Sequence, residues 1–347
     1  MAEAGYAHEL LNKGRMRSAT FWNPAVFESL ATYNKDRTLI THLRHKADTP
    51  EASSELFVVN CHLTAGPEAG RRLRQMHEAL DTIRKEQNKA KATPTPPVVV
   101  VGDFNSQGNS AVRHLLLNQE VTPEFRESGD PTERGVQGQQ ITSKTRKQTV
   151  GPFQDAYARA YESGPSPATL VVPLLDDKMV HQDTGAITAD VTEQVRKMFG
   201  KFSSDRQVMT RPEVEQWLLT INKVLGRGSE YRSAMKRMEE RGAEHMTFDD
   251  FLSVYESELK EGKFWGVEYD LGVVNGQGMA EPGSPPFEAT FDYVYYTTQT
   301  LKVHSVQEVL TQAETAAVKS GSRLPNEWHP SDHLPVTVTL QFAAEEA

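Results

Sequence analysis

Short apolar runs ending on polar residues alternate with one long amphipathic stretch in the first 160 residues. Phe57-Val58-Val59-Asn60-Cys61-His62-Leu63 reads as a strand that ends on a histidine, and Pro97-Val98-Val99-Val100-Val101 as a fully buried strand that stops at Gly102-Asp103. Between them, residues 68–91 place Leu73, Met76, Leu80 and Ile83 at helical spacing, with Arg71, Arg72 and Arg74 mostly off that face. Thr93-Pro94-Thr95-Pro96-Pro97 stops this helix and launches the next strand. Ser110 suits the N-cap of a further helix carrying Val112 and Leu115-Leu116-Leu117. Near the C-terminus, Thr290-Phe291-Asp292-Tyr293-Val294-Tyr295-Tyr296 is an aromatic, β-branched strand carrying one acid. The alternating Thr337-Val338-Thr339-Leu340 follows Pro330-Ser331-Asp332-His333-Leu334-Pro335-Val336. Strands and helices in this order predict an α/β fold.

The alternation is interrupted. Ser163-Gly164-Pro165-Ser166-Pro167 marks a boundary and Pro282-Gly283-Ser284-Pro285-Pro286 the return. Between them lie four helical patterns, over 191–202, 211–224, 231–240 and 247–260. The predicted organisation is a first domain part at 1–162, an insert at 163–285 with a helical core near 187–262, and a last domain part at 286–347.

Composition narrows the class. The chain has 347 residues, 37% of them hydrophobic, and a mean hydropathy of −0.56, which suits a water-soluble globular protein. It contains no apolar run long enough for a membrane span. Glu3 and Glu9 in the first 20 residues fit neither a secretory signal nor an acid-poor transit peptide. The expected location is intracellular, with the cytoplasm first and an organelle or cytoskeletal assembly also open. Cys61, the only cysteine, permits no internal disulfide and reads as a packed thiol. The net charge of −9 argues against sequence-blind binding of long nucleic acid by bulk charge, yet leaves room for a local basic groove. The insert, with 14 basic against 20 acidic residues over 164–286, is the more acidic part. The stretch 135–154 carries Lys144, Arg146 and Lys147 with no acid, and is a candidate phosphate-contacting loop.

The strand ends carry the chemistry. Asp103 and Asn105, two residues apart after a buried strand, can point the same way, one towards a metal or a water and the other towards an anionic oxygen. Taken alone, Gly102-Asp103-Phe104-Asn105 is also what an ordinary turn contains, Asp332 is an ordinary turn residue, and His62 an ordinary strand-end histidine. Carboxylates and carboxamides without a Cys/His cluster suit a hard cation, magnesium or manganese, rather than zinc.

The succession strand-His62, Gly102-Asp103-Phe104-Asn105, Asp292-Tyr293-Val294, Ser331-Asp332-His333 resembles the endonuclease/exonuclease/phosphatase family, the metal-dependent phosphodiesterase fold of pancreatic deoxyribonuclease. Gly102-Asp103-Phe104-Asn105-Ser106, Ser110-Ala111-Val112, Leu115-Leu116, Ala19-Thr20-Phe21-Trp22 and Asp36-Arg37-Thr38-Leu39 are similar to its deadenylase-like branch. Inositol-polyphosphate phosphatases usually show a Trp before Gly-Asp and a Cys-Asp-Arg strand, where this chain has Val101 and Phe291-Asp292-Tyr293. The resemblance implies a two-sheet α/β sandwich and a set of roles. Asp103 would orient or deprotonate the attacking water, and Asn105 would hold the phosphoryl oxygen. His333 would contact the scissile phosphate, with Asp292 buttressing it. Asp332, with Asp103, would lie by the metal, and His62 would donate to the phosphate or leaving group. His329 and the segment Gln119-Glu120-Val121 are set aside, the latter as a solvated helix end; His42 and His45 are expected to decorate a strand end and loop.

The insert resembles a pair of EF-hands, as in plant and protist proteins described as calcium-binding members of this family. Its loops depart from calcium chemistry. The first, ending at Glu213, is one residue short, lacks the Gly and carries Arg206; the second, residues 239–250, has Arg241 and Ala243 at ligand positions. Met209 and Met246 suit the short β-contact between paired loops. A degenerate, structural pair without calcium is expected.

The family places an Asn on its first strand and a metal-binding Glu soon after, both upstream of the part that matches Ala19-Thr20-Phe21-Trp22, and Gly5-Tyr6 already resembles sequence just past that Glu. The expectation is therefore of an incomplete form, or of a shortened and impaired member. Two functions stay open: a magnesium-dependent phosphodiester hydrolase acting on RNA, similar to a 3′-exonuclease or deadenylase, and an interaction subunit. The second would dock a protein partner on its incomplete sheet edge or on the insert.

Overall fold

A computed structural model describes residues 4–12, 17–46, 54–90, 95–129, 138–160, 166–181, 183–205, 207–226, 228–242, 244–280, 286–318, 324 and 328–343. Glu3, Arg206 and Ala243 lie outside the described residues. The chain divides into two units, one of Met1–Val171, Glu288–Thr315 and Leu324–Ala347, the other of Val172–Phe287 with Ala316–Arg323.

The first unit begins with β1 (Ala7–Leu10) and β2 (Ala19–Trp22), an antiparallel pair. There follow β3 (Phe27–Lys35), β4 (Thr38–His45), β5 (Glu55–His62), α1 (Ala69–Ala90), β6 (Val98–Asp103) and α2 (Ala111–Asn118). The short pair β7 (Glu120–Val121) and β8 (Arg146–Lys147) precedes β9 (Phe153–Asp155) and α3 (Ala156–Ala160). After β10 (Leu170–Pro173) the chain runs through the second unit. That unit contains α4 (Asp176–Met179), α5 (Ala189–Phe202), β11 (Val208–Thr210), α6 (Arg211–Asn222), α7 (Ser229–Arg241), β12 (His245–Thr247), α8 (Phe248–Lys260) and α9 (Phe264–Asn275). The chain returns through β13 (Pro286–Ala289), and ends with β14 (Asp292–Thr297), β15 (Leu301–Val306), α10 (Gln312–Ala317) and β16 (Val338–Phe342).

Six strands form the central sheet in the order β3-β4-β5-β6-β14-β9. It is mixed: β5 and β6 run parallel, joined by α1, while β14 lies antiparallel to β6. The run Val98 to Val101 shows why a continuous apolar strand was needed, because alternate residues face opposite layers. Val98 and Val100 join Leu73, Met76, Leu80 and Ile83 of α1 and Val112, Leu115 and Leu116 of α2 in one core. Val99 and Val101 join Val294, Tyr296 and Leu301 in a second core on the other side, where Val303, Val338 and Leu340 of the β15–β16 pair pack. The unit is thus an α/β sandwich.

Several side chains sit otherwise than periodicity suggests. Arg72 is buried, with its guanidinium donating to the Thr64 and Gly66 carbonyl oxygens. His42 lies inside β4, not at a strand end, with Nε2 2.9 Å from the Glu55 carboxylate and its ring stacked on Phe57. His45 is the last residue of that strand. Gln119 ends α2 as its cap in the left-handed conformation, φ 63°, whereas Glu120-Val121 is a strand rather than part of a solvated helix end.

In the second unit, two helix–loop–helix segments, α5/α6 and α7/α8, are bridged by antiparallel β11 and β12 with Met209 opposite Met246. Met198, Phe199, Trp217, Phe251 and Tyr255 build their core, and α9 adds Phe264, Val267 and Leu271 to it. Burial and the nearby Glu230 raise the Asp270 carboxyl to about 8, against the Tyr255 hydroxyl that bonds to it at 3.3 Å.

Candidate active site

Three strand ends meet at one edge of the central sheet. Parallel pairing sets His62 beside Asp103, and antiparallel pairing sets Asp103 directly opposite Asp292. This convergence depends on Gly102, whose φ is +125° and where a Cβ would lie 2.0 Å from the Cys61 carbonyl oxygen. Only glycine lets β6 run that close to β5 while turning Asp103 outwards.

Asp103 then organises the loop that follows it. Its carboxylate accepts from the Asn105 backbone N–H at 2.7 Å and from the Asn105 Nδ2 at 2.8 Å. Asn105 adopts φ +47°, a left-handed turn that an Asn tolerates, and its amide also donates to the Leu63 carbonyl oxygen. His62 Nε2 lies 3.6 Å from the Asp103 carboxylate. His333 Nδ1 is bonded to Asp292 Oδ2 at 2.7 Å, which fixes the ring and leaves Nε2 as the working nitrogen.

The electrostatics follow from this crowding. Burial, reinforced by the facing Asp292, raises the Asp103 carboxyl to about 7, although His333 and the Asn105 N–H pull it down. Burial alone would lower His333, but the bond to Asp292 and the charges of Asp292, Asp103 and Asp332 override it and raise the imidazole to about 9. At neutral pH the site therefore holds an imidazolium beside a carboxyl poised near its midpoint. Burial pushes the Cys61 thiol well up, as befits a packed cysteine.

Asp103, Asp292 and His333 offer ligand atoms that all lie within 4.8 Å of one another, and they form the one such group among the described residues. Two carboxylates forced together in a partly buried pocket, one held above its ordinary range, fit a hard divalent cation. Asp332 is exposed beside this group and is not part of it; its charge is nonetheless felt by Asp103 and His333. Lys144, Arg146 and Lys147 are exposed on a different segment, where Lys147 pairs with Glu120 at 3.1 Å.

Other groups that hold the site have no motif to announce them. Thr169 Oγ1 accepts from the Phe291 and Asp292 N–H groups, and its carbonyl oxygen accepts from Leu334 N–H, so one threonine steadies both Asp292 and the His333 segment. Arg113 lies over the Tyr293 ring, donates to the Tyr295 hydroxyl at 2.9 Å and to the Gly108 carbonyl oxygen, and approaches Asp155 at 3.8 Å. It ties the loop after Asn105 to β14. The sequence signal for Arg113 was a lone cation on the buried side of α2.

A family model described as "Endonuclease/Exonuclease/phosphatase family" matches residues 4–333. Among solved structures, ANGEL2, a 2′,3′-cyclic phosphatase in complex with adenosine-2′,3′-vanadate, matches with a TM-score of 0.51 at 15% identity, over 98% of this chain and 75% of that one. The human Nocturnin catalytic domain with bound sulfate gives 0.41 at 13%, over 99% and 74%. D. rerio TDP2 with a single-stranded DNA product gives 0.38 at 8%, over 98% and 78%. At 15% identity the likeness to ANGEL2 is one of fold. The family match spans nearly the whole chain, from before the first strand to the second histidine of the site, and the chain belongs to the endonuclease/exonuclease/phosphatase family.

Proposed function

We propose that this chain is a divalent-metal-dependent phosphoester hydrolase acting on RNA ends, with Asp103, Asn105, Asp292, His333 and His62 as its reacting centre. The observation that carries this reading is the cluster of Asp103, Asp292 and His333 within 4.8 Å, at the edge where three strands end. A magnesium or manganese ion held by Asp103 and Asp292 would neutralise a phosphoryl oxygen and stabilise the leaving alkoxide. The chain's own residues supply the rest. His333, charged at neutral pH, donates from Nε2 to a phosphoryl or leaving oxygen and acts as acid rather than base. Asp292 holds that ring and its proton in place. Asp103 orients the attacking water or accepts its proton. Asn105 exchanges one of its present hydrogen bonds for the phosphoryl oxygen, and His62 donates alongside.

The second unit is read as an EF-hand-type pair that works without calcium. Glu213, where a loop would bind the ion, instead accepts from the Ser204 and Thr210 N–H and hydroxyl groups. Asp250 is bonded to the Arg241 guanidinium, which supplies the positive charge a cation would bring.

The test is hydrolysis by the full chain, with magnesium or manganese, of single-stranded RNA, of an adenosine 2′,3′-cyclic phosphate end and of a generic phosphodiester. Asp103→Ala and His333→Ala are each expected to lower turnover about a hundredfold or more. Equal rates in wild type and variants overturn the assignment of the centre, and no turnover of any of the three overturns the enzyme reading in favour of an interaction subunit.

A further inference from the structure

The row of functional groups along the sheet edge continues one strand further than the motifs. β4 pairs with β5, and the turn that joins β3 to β4 therefore ends beside His62. His62 N–H donates to the Arg37 carbonyl oxygen at 3.1 Å, and Arg37 NH1 reaches back to the His62 carbonyl oxygen at 3.5 Å. Across the sheet the succession is Arg37, His62, Asp103, Asp292. With adjacent strands about 4.8 Å apart, the Arg37 backbone stands roughly 10 Å from that of Asp103, on the side of the site away from His333.

Three features set this arginine apart. It holds φ +57°, one of only four non-glycine residues with positive φ among those described, in a turn where Gly or Asn would sit without strain. Such strain in a turn at a site edge points to a side chain wanted there. Its neighbour Asp36 feels the Arg37 charge but makes no hydrogen bond to it, since that carboxylate is bonded to Arg71 at 3.3 Å and to Gln75 at 2.9 Å. The long bond to the His62 carbonyl oxygen leaves most of its N–H donors unspent, whereas Arg44, Arg71 and Arg84 each face carboxylates. A half-buried guanidinium with donors to spare is suited to a phosphate, which it can grip through two parallel bonds.

We propose that Arg37 anchors the phosphate next to the scissile one, and so makes the site prefer a nucleic-acid chain over a single phosphorylated nucleotide. This rests on the phosphoester-hydrolase reading above. The chain enters with its reacting phosphate at Asp103 and His333, passes His62, and presents its neighbouring phosphate to the turn. Arg37 touches substrate away from the reacting atoms and sets chain-length preference, with no part in proton transfer.

The experiment is equilibrium binding, read by fluorescence anisotropy in EDTA so that no turnover intervenes, of a 5′-fluorescein single-stranded oligoadenylate to the full chain. Arg37→Ala should weaken binding about tenfold and reduce the slope of log affinity against log salt by about 0.7, the contribution of one phosphate contact to a single strand. Arg37→Lys should restore the slope while recovering only part of the affinity, since a point charge lacks the fork. Arg37→Gly suits the backbone, so it should hold or raise the thermal midpoint while losing binding as Arg37→Ala does; this separates recognition from folding. Wild-type binding that Arg37→Ala and Arg37→Gly leave unchanged in affinity and slope overturns the inference and spares the hydrolase reading. A wild-type chain that binds no oligoadenylate in EDTA also overturns the inference, while the hydrolase reading stands or falls by the hydrolysis assay with magnesium or manganese.

Discussion

Asp103→Asn should move stability and activity in opposite directions, with a sign that depends on pH. In the folded chain the Asp103 carboxyl titrates near 7, against 3.8 for a free aspartate, because burial and the facing Asp292 disfavour its charge. Between those values the native state holds a proton that the unfolded chain has released. Stability contributed by this group is therefore full below 3.8 and is lost as pH rises through about 7. The loss runs at about 1.4 kcal/mol per pH unit, so from about pH 5 to about pH 7 it reaches at most roughly 3 kcal/mol. His333 opposes part of it, and titration shared with Asp292 spreads the rest, so about 1–3 kcal/mol is the expected range. Asparagine cannot ionise and escapes the loss. The assay is urea unfolding of both proteins in EDTA at about pH 5 and about pH 8, where the variant's stability relative to wild type should rise by about 1–3 kcal/mol. At the lower pH part of the loss has already occurred, since about pH 5 lies above 3.8, and the assay reads the further loss between the two conditions. A difference that is flat with pH, or that falls, refutes the reasoning. The same substitution should lower hydrolysis about a hundredfold, as expected of a charge kept for function at a cost to the fold.

Asp292→Asn should lower the His333 imidazole from about 9, because burial then meets only the charges of Asp103 and Asp332; titration of the ring protons by NMR in EDTA reads this, and a variant that titrates as the wild type does contradicts it. By the same linkage, the stability that His333 contributes is present below 6.5 and fades as pH climbs through about 9. Arg113→Ala should cost about 3 kcal/mol or more in urea unfolding, since it leaves the buried Asp155 carboxylate without its cation; a loss under about 1 kcal/mol would show that Asp155 needs no counter-charge. Calorimetric titration of the whole chain should reveal no calcium binding tighter than about 10⁻⁵ M, the sensor range, because Glu213 and Asp250 are already satisfied within their loops.

Residues at strand ends were the legible part of this protein. His62, Asp103 and Asp292 each close or open an apolar run, and such runs can be read locally as strands. Helices α1 and α2 were equally plain, from the spacing of Leu73, Met76 and Leu80 and from the Ser110 cap, which accepts from Arg113 N–H as a capping serine should. Arg72 shows how far periodicity misleads. A cation near the apolar face suggests a solvated residue, yet its donors meet the Thr64 and Gly66 carbonyl oxygens, and a buried charge so satisfied breaks no physical rule. His42 was misplaced for the opposite reason. Its strand continued past it, because Glu55 on the neighbouring strand supplied the polar partner that a loop position would have found in water.

What could not be read locally is the support of the site, and the reason is separation along the chain. Thr169 reaches Asp292 across 123 positions, and Arg113 reaches Tyr295 across 182, so neither has a local pattern to betray it. Arg37 is intermediate: Asp36-Arg37-Thr38-Leu39 stood out by its resemblance to the family, but the place of Arg37 beside His62 depends on the β4–β5 register. That register is also what turns separate motifs into a row. A one-residue slip of β5 against β6 would send His62 to the opposite face of the sheet from Asp103. The slip is blocked because Phe57, Val59 and Cys61 would then leave the core that α1 covers, and because Gly102 must stay opposite Cys61, where no side chain fits. The apolar pattern of two strands and one glycine therefore sets the spacing of the site's polar groups.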